Sequence, residues 1–233
     1  MKAMILAAGR GERMRPLTDH LPKPLLEAGG FRLIEYHLAA LARHGITEVV
    51  VNLCWRGEQI RQALGDGGRY GLAIRYSDED GVIQGTGGGL YRALPQLGSE
   101  PFLVVNGDIW IDLSFDALRR PAGSLAHLVL VPNPVHHPDG DYGFDGNGCA
   151  LASPPRLTYS GVSVLDPRLF DGCAAGVFPL KPLLDRALES RQLTAQRHDG
   201  AWCDVGTPER LAALDAGLRL GQLRHPVLAS PVG

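Results

Sequence analysis

The sequence predicts one α/β domain of three layers, with helices covering both faces of a mostly parallel, mixed sheet. Short continuous apolar runs at residues 4–8, 47–53 and 101–106 read as strands buried on both faces, the habit of parallel sheets. Segments of helical spacing alternate with these runs, which calls for right-handed β-α-β crossovers. Glycine-rich turns stand where the strands end, the edge at which an open parallel sheet meets its ligands.

The elements follow in order. Residues 4–8 end in Gly9-Arg10-Gly11, where the backbone can turn tightly and approach a ligand. Residues 31–44 carry Leu33, Ile34, His37, Leu38 and Leu41 at helical spacing, and Gly45 follows as a stop. The β-branched stretch 47–53 is a strand, 56–64 a helix and 72–76 a strand. Gly85-Thr86-Gly87-Gly88-Gly89 precedes a short helix at 90–94, and the strand at 101–106 runs into Gly107 and Asp108. Later strands are predicted at 124–131 and 159–165, and a helix at 179–190. A strand end at 202–205 leads to a helix at 207–219, with Thr207 as its cap and Pro208 at its first position. Residues 136–155 are rich in loops. The domain is drawn at 1–221, and the patternless 222–233 are set aside as a C-terminal tail.

With 233 residues, 45% of them hydrophobic, the chain can bury a core without disulfide staples. Cys54, Cys149, Cys173 and Cys203 are scattered without a Cys-x-x-Cys pair. That argues against a zinc site or disulfide framework and for a reducing cytoplasm. The opening residues lack a signal-peptide pattern, and no run reaches the roughly 18 apolar residues of a membrane span. A net charge of −2 argues against nucleic acid as a partner. Anionic ligands must then be met by local charge.

Such charge is dense near the start. Amides of the turn at 9–11 make a concavity for phosphate oxygens, and Arg10, Arg13 and Arg15 add positive charge. Lys23, between Pro22 and Pro24, has a stiff mount suited to a fixed phosphate contact. A dinucleotide fingerprint would need glycine where Met14 stands, and a P-loop would need Gly-Lys-Ser/Thr. Asp108 lies just past a strand, at the same edge as this turn. An acid there needs a cation between itself and a phosphate, and Mg²⁺, held by one or two carboxylates plus phosphates, fits. Asp204, at another strand end, could hold the same ion; Asp112 and Asp199 are the neighbouring competitors. The 85–89 run, with Gln84 and Thr86, offers either a backbone-lined slot for a flat base or a flexible loop tip. His136-His137 reads as a solvated loop rather than a metal pair.

Residues 6–18, Leu-Ala-Ala-Gly-Arg-Gly-Glu-Arg-Met-Arg-Pro-Leu-Thr, and Pro22-Lys23-Pro24 resemble the signature of the sugar-1-phosphate nucleotidyltransferases. Asn106-Gly107-Asp108 and Trp202-Cys203-Asp204-Val205-Gly206-Thr207-Pro208 are similar to that family's metal-site segments. The resemblance runs from residue 4 to about 219 and implies a Rossmann-like fold of the nucleotide-diphospho-sugar transferase type. It also implies attack by a sugar phosphate oxygen on the α-phosphorus of a nucleoside triphosphate, with loss of pyrophosphate. By this match Leu6, Ala7, Ala8, Gly9, Gly11, Glu12, Arg13, Lys23, Gln84, Gly85, Thr86 and Asn106 bind the nucleotide. Arg13, Lys23 and Asp108 carry the catalysis, and Asp108 and Asp204 hold Mg²⁺. Asp141, Gly143, Ser160 and Gly161 contact the sugar phosphate, although Asp139-Gly140-Asp141 also suits an ordinary turn. Segments 84–90, 103–110 and 160–162 resemble the uridylyl-transferring branch of bacterial cell-wall recycling. That implies UTP and N-acetylmuramate 1-phosphate as partners of a monomer or small homo-oligomer. Guanylyl and thymidylyl transferases of the same fold are rivals, as is a non-catalytic nucleotide-sugar sensor.

Overall fold

In the first strand, β1 (Ala3–Leu6), Ala3 and Ile5 enter one apolar core and Met4 another, so both faces are buried as the unbroken run predicts. The computed structural model of the chain describes residues 1–118 and 120–228; residues 229–233 of the expected tail lie outside the described residues. After β1 come a small hairpin, β2 (Glu27–Ala28) and β3 (Phe31–Arg32), then α1 (Leu33–Arg43) and β4 (Glu48–Leu53). Next are α2 (Gly57–Leu64), β5 (Ala73–Asp78), α3 (Gly85–Leu97) and β6 (Phe102–Asn106). The second half holds β7 (Ile109–Ile111), β8 (Ala126–Val131), β9 (Tyr142–Phe144), β10 (Ala150–Leu151) and β11 (Arg156–Leu165). It closes with α4 (Lys181–Glu189), β12 (Leu193–Arg197), β13 (Trp202–Asp204) and α5 (Pro208–Arg219).

β5, β4, β1 and β6 lie side by side in parallel. β11 joins β6 antiparallel, β8 pairs antiparallel with β11, and β12 is parallel to β8, giving a mixed sheet. Ile34, Leu38 and Leu41 of α1 and Ile60 and Leu64 of α2 cover one face, against Val49, Val51 and Val105. Leu90, Ala93 and Leu97 of α3 and Leu183 and Leu184 of α4 cover the other, against Val50, Val104 and Leu128. The three layers stand as predicted. Among the described residues no helix is long and apolar enough to cross a membrane.

A third core is separate from the sheet. β7 and β13 form a two-stranded antiparallel ribbon with Asp204 opposite Ile109. Trp110, Tyr36, Val205, Leu211 and Leu214 fill the space between this ribbon, α1 and α5. The stretch set aside as a tail contributes here. Leu223 packs on this core, and the His225 ring lies 5.0 Å from Tyr36 and 6.1 Å from Trp110.

The short strands β2, β7, β9 and β10 have no counterpart in the sequence prediction, and three further elements depart from it. Phe31 and Arg32 belong to the hairpin, so α1 starts at Leu33. β12 was missed because its five residues hold only two apolar side chains: Leu193 and Ala195 are buried, while Thr194 and Gln196 hydrogen-bond His127. The short helix at 90–94 is in fact α3, which passes through Pro95 to Leu97. Leu90, Ala93 and Leu97, on one helical face, are buried and carry it past the proline. Its first turns absorb the glycine run, where bulk is excluded by neighbours. A Cβ on Gly87 would lie 2.5 Å from Phe178 Cδ2 and 2.8 Å from the Pro179 carbonyl.

Helix propensity alone would make Gly87→Ala stabilising by up to about 1 kcal/mol. Crowding by Phe178 and Pro179 reverses the sign, so a loss of about 1–3 kcal/mol is expected in urea unfolding. A second expectation concerns pH. Burial is the main cause that lowers His37 and His225 from 6.5 to about 4. The unfolded chain takes up these protons near 6.5, so the stability of the neutral rings is complete above that pH. It is lost as pH falls from 6.5 towards 4. Melting temperature should therefore drop across that window, and drop less steeply in His225→Phe.

Candidate active site

Four parallel strands end at one edge of the sheet, and a cavity of about 490 Å³ lies beyond them. Leu6 at the end of β1 and Ala7, Ala8, Gly9, Arg10, Gly11, Glu12, Arg13 and Met14 after it form one wall. Asn52 of β4, Glu79 after β5, Gly85 and Thr86 of α3, and Asn106 and Asp108 at the end of β6 line the rest, with Lys23, Pro24, Ile83 and Gly206. β1 has β4 on one side and β6 on the other, so the strand order reverses here. Open α/β sheets bind ligands at such a reversal.

The opening turn is folded back onto the lysine mount. Gly11 has φ 64, and a Cβ there would lie 2.9 Å from Thr18 Cγ2 and 3.3 Å from Lys23 Cβ. The Thr18 hydroxyl donates to the Gly11 carbonyl at 2.8 Å. Lys23 begins a single 3₁₀ turn between its two prolines and is only 7% exposed. Its ammonium donates to Asp108 Oδ2 at 2.7 Å. The stiff mount thus delivers one buried cation to one carboxylate.

The backbones of Asp108 and Asp204 lie on neighbouring strand ends. The Val205 N–H donates to the Asp108 carbonyl at 2.9 Å, continuing the ribbon that sets Asp204 opposite Ile109. Asp204 is not a lining residue of the cavity, but its neighbour Gly206 is. Arg210 Nη1 pairs with Asp204 Oδ1, and His136 Nε2 reaches the same oxygen at 3.1 Å. His136 is exposed on its loop, as the sequence reading has it, and also reaches this cluster. The two competitor acids are engaged elsewhere: Asp112 accepts from the Ala201 N–H at 3.0 Å and pairs with His198 at 2.7 Å, and Asp199 pairs with Arg197.

This donor set suits a hard divalent ion. Burial first, and then the charge of Asp204, push the Cys203 thiol up to about 11, so no thiolate competes. Among the described residues no group of three or more His, Cys, Asp or Glu could hold a metal by itself. An ion held by Asp108 and Asp204 would draw its remaining oxygens from water or from a phosphorylated ligand.

Two polar lining residues were missed from the sequence. Asn52 Oδ1 accepts from the Ala7 N–H at 2.7 Å, and Asn52 Nδ2 donates to Glu79 Oε1 at 2.7 Å. Glu79 Oε2 accepts from the Gln84 N–H at 2.8 Å. This buried chain ties the wall after β1 to the start of α3. Its signal in the sequence was a polar Asn52 inside the apolar run 49–53.

The other predicted residues divide. Gly85 and Thr86 line the cavity, but the Gln84 side chain donates to the Val82 carbonyl at 2.9 Å and is not a lining residue. Asp141, Gly143, Ser160 and Gly161 are not lining residues of the cavity. Asp141 Oδ2 accepts from the Tyr159 N–H at 2.8 Å, and Oδ1 pairs with His137 at 3.3 Å, so this carboxylate staples its loop to β11. Gly143 lies within the β9 ladder, opposite Leu151 and Arg156. The Ser160 carbonyl accepts from Trp202 Nε1 at 2.9 Å, and a Cβ on Gly161 would come within 2.7 Å of Asn106 Nδ2. Of the four, Gly161 is the one that abuts a lining residue, Asn106.

Comparison with known proteins bears on this arrangement. The sequence profile described as nucleotidyl transferase matches residues 2–144. The N-acetylmuramate alpha-1-phosphate uridylyltransferase of Neisseria meningitidis serogroup B is 48% identical over 93% of this chain and 97% of that protein. The Caulobacter vibrioides protein of the same name is 32% identical over 93% of this chain and 96% of its own length. A solved structure from Bacillus anthracis, assigned as a glucose-1-phosphate thymidylyltransferase, superposes with a TM-score of 0.80. It covers 93% of this chain and 94% of its own, and at 20% identity it speaks for the fold.

Asn52→Ala would leave the Ala7 N–H and Glu79 Oε1 without their buried partner. An unsatisfied buried group costs about 1–3 kcal/mol, so a loss of that size is expected from urea unfolding.

Proposed function

The chain belongs to the nucleotidyl transferase family, and we propose that it transfers UMP from UTP to N-acetylmuramate α-1-phosphate, releasing pyrophosphate. The ion is Mg²⁺, the compartment the cytoplasm, and the role the recycling of cell-wall sugar. The observation that carries the chemistry is Lys23 held at 2.7 Å by Asp108 on a cavity walled by the 9–13 turn. The choice of base and sugar is supported by the two uridylyltransferase relatives.

Amides around Gly11 and the Arg13 guanidinium hold the triphosphate, while Lys23 steadies the α-phosphate and the incoming sugar phosphate. Gly85 and Thr86, with Asn52 and Glu79 beside them, form the end that takes the base; Gln84 contributes through its backbone. Asn106, Ser160 and Gly161 face the ribose and sugar, and Asp141 and Gly143 take the sugar end. A sugar phosphate oxygen attacks the α-phosphorus. The bond from that phosphorus to the oxygen bridging the β-phosphorus breaks, and pyrophosphate leaves with the electron pair, met by Arg13. The nucleophile is already ionised, so no general base is needed. What the chain supplies is alignment of two anions and stabilisation of charge. Asp108 and Asp204 would hold Mg²⁺, which when bound neutralises phosphoryl oxygens.

Turnover of four nucleoside triphosphates against several sugar 1-phosphates, followed by pyrophosphate release, tests the assignment. UTP with N-acetylmuramate 1-phosphate should be fastest; equal turnover with GTP or dTTP would sink the uridylyl reading. Lys23→Met keeps the buried stem and removes the charge. Its kcat should fall roughly 100-fold or more, as when a transition-state donor is lost. Its melting temperature should change little, because the Asp108 side chain is 45% exposed and can be re-solvated.

A further inference from the structure

Arg210 stands in an electrostatically unfavourable place. It is the third residue of α5, whose cap Thr207 accepts from the Arg210 N–H at 3.4 Å. A helix N-terminus carries partial positive charge, so a cation in its first turn is disfavoured by about 0.3–1 kcal/mol. Where the side chain goes offsets this. It folds back across Gly206, where any Cβ would collide with the guanidinium, to reach Asp204 Oδ1. The pair is partly shielded, with side chains 22% and 29% exposed.

The guanidinium is itself held. His136, from the loop after β8, accepts from Arg210 Nη1 at 2.6 Å through Nε2. Arg210 on Oδ1, steadied in this way, fixes the rotation of the carboxylate and leaves Oδ2 as the atom to meet a further cation. Asp108 is treated in the same way, with Lys23 on its Oδ2. Arg13, on the cavity wall, approaches the other side: its Nη2 would lie 3.4 Å from a Cβ on Gly206.

We infer that Arg210 is a positioning residue for Asp204, itself anchored by His136, and that together they pre-orient this carboxylate for the divalent ion. The inference rests on the metal reading of Asp108 and Asp204 above. Partners behind a metal ligand are commonly worth about 10–100-fold in metal affinity. The opposite role is a cation that occupies Asp204 and must be displaced, and removing it would then tighten binding.

The test is Mn²⁺ binding to the full chain, followed by water-proton relaxation, alongside thermal melts. Arg210→Ala should weaken Mn²⁺ roughly 10–100-fold with little change in melting temperature. Arg210→Lys should recover part of the loss, since it restores the charge but not the planar fork. His136→Ala should shift affinity in the same direction while leaving α5 intact, and its titration decides the matter if Arg210→Ala does not fold. Wild-type or tighter binding in these variants would overturn the inference. Asp204→Asn separates the two levels: if it binds Mn²⁺ as wild type does, the metal reading fails and this role falls with it.

Discussion

Burying Glu79 to 1% exposure is tolerable only because both of its oxygens are hydrogen-bonded, one by Asn52 and one by the Gln84 amide. Asn52 in turn takes the Ala7 amide, so one polar chain joins the ends of β1, β4 and β5 to the first turn of α3. The cavity wall depends on that chain. It stops the residues after β1 from closing over the strand ends, and it draws α3 so near that a Cβ on Gly89 would lie 2.6 Å from the Glu79 carboxylate. A polar network in a low-dielectric wall is rigid when satisfied and costly when broken. It therefore presets the width of the opening.

The far side of the cavity is organised by charge. A chain of net charge −2 has to meet anions with cations placed one by one, and here they are placed against acids. Lys23 lies on Asp108, and Arg210 on Asp204. Each pair keeps a carboxylate and a cation in one orientation without a large field over the surface. The β7–β13 ribbon brings the two pairs together, and the third core beneath it, reached by His225, holds the ribbon to α1 and α5. A family reaction that joins two anions calls for this balance, since neither strongly acidic nor strongly basic surroundings would suit both substrate and ion.

Much of this was legible in the residues. Period and composition were enough for the buried strands, because a strand covered on both faces has to be apolar throughout. The 9–13 turn, Lys23 and Asp108 were readable because glycine, proline and charge at strand ends have few structural uses. Other features were not. The 85–89 run looked like a slot for a base, yet most of its glycines are there because Phe178, Pro179 and Glu79 leave no room for a side chain. Nothing local distinguishes a glycine that admits a ligand from one that admits a neighbouring backbone. Asp141 reads as a sugar contact, and in the structure its carboxylate also holds its own loop through the Tyr159 amide and His137. The short turn Asp139-Gly140-Asp141 reads the same in either case.

The sequence by itself determined the alternation of elements, the two faces of β1, the phosphate-type turn and the stiff mount of Lys23. These follow from propensity, periodicity and backbone restriction, which act over a few residues. Only the tertiary structure decided that the strand ends carrying Asp108 and Asp204 are neighbours, that Asn52 and Glu79 form the wall, and that Arg210 turns back on Asp204. Those contacts join residues far apart in the chain or on opposite sides of a turn. Their partners are chosen by which strand ends the sheet order and the third core bring into reach, and no local pattern carries that information.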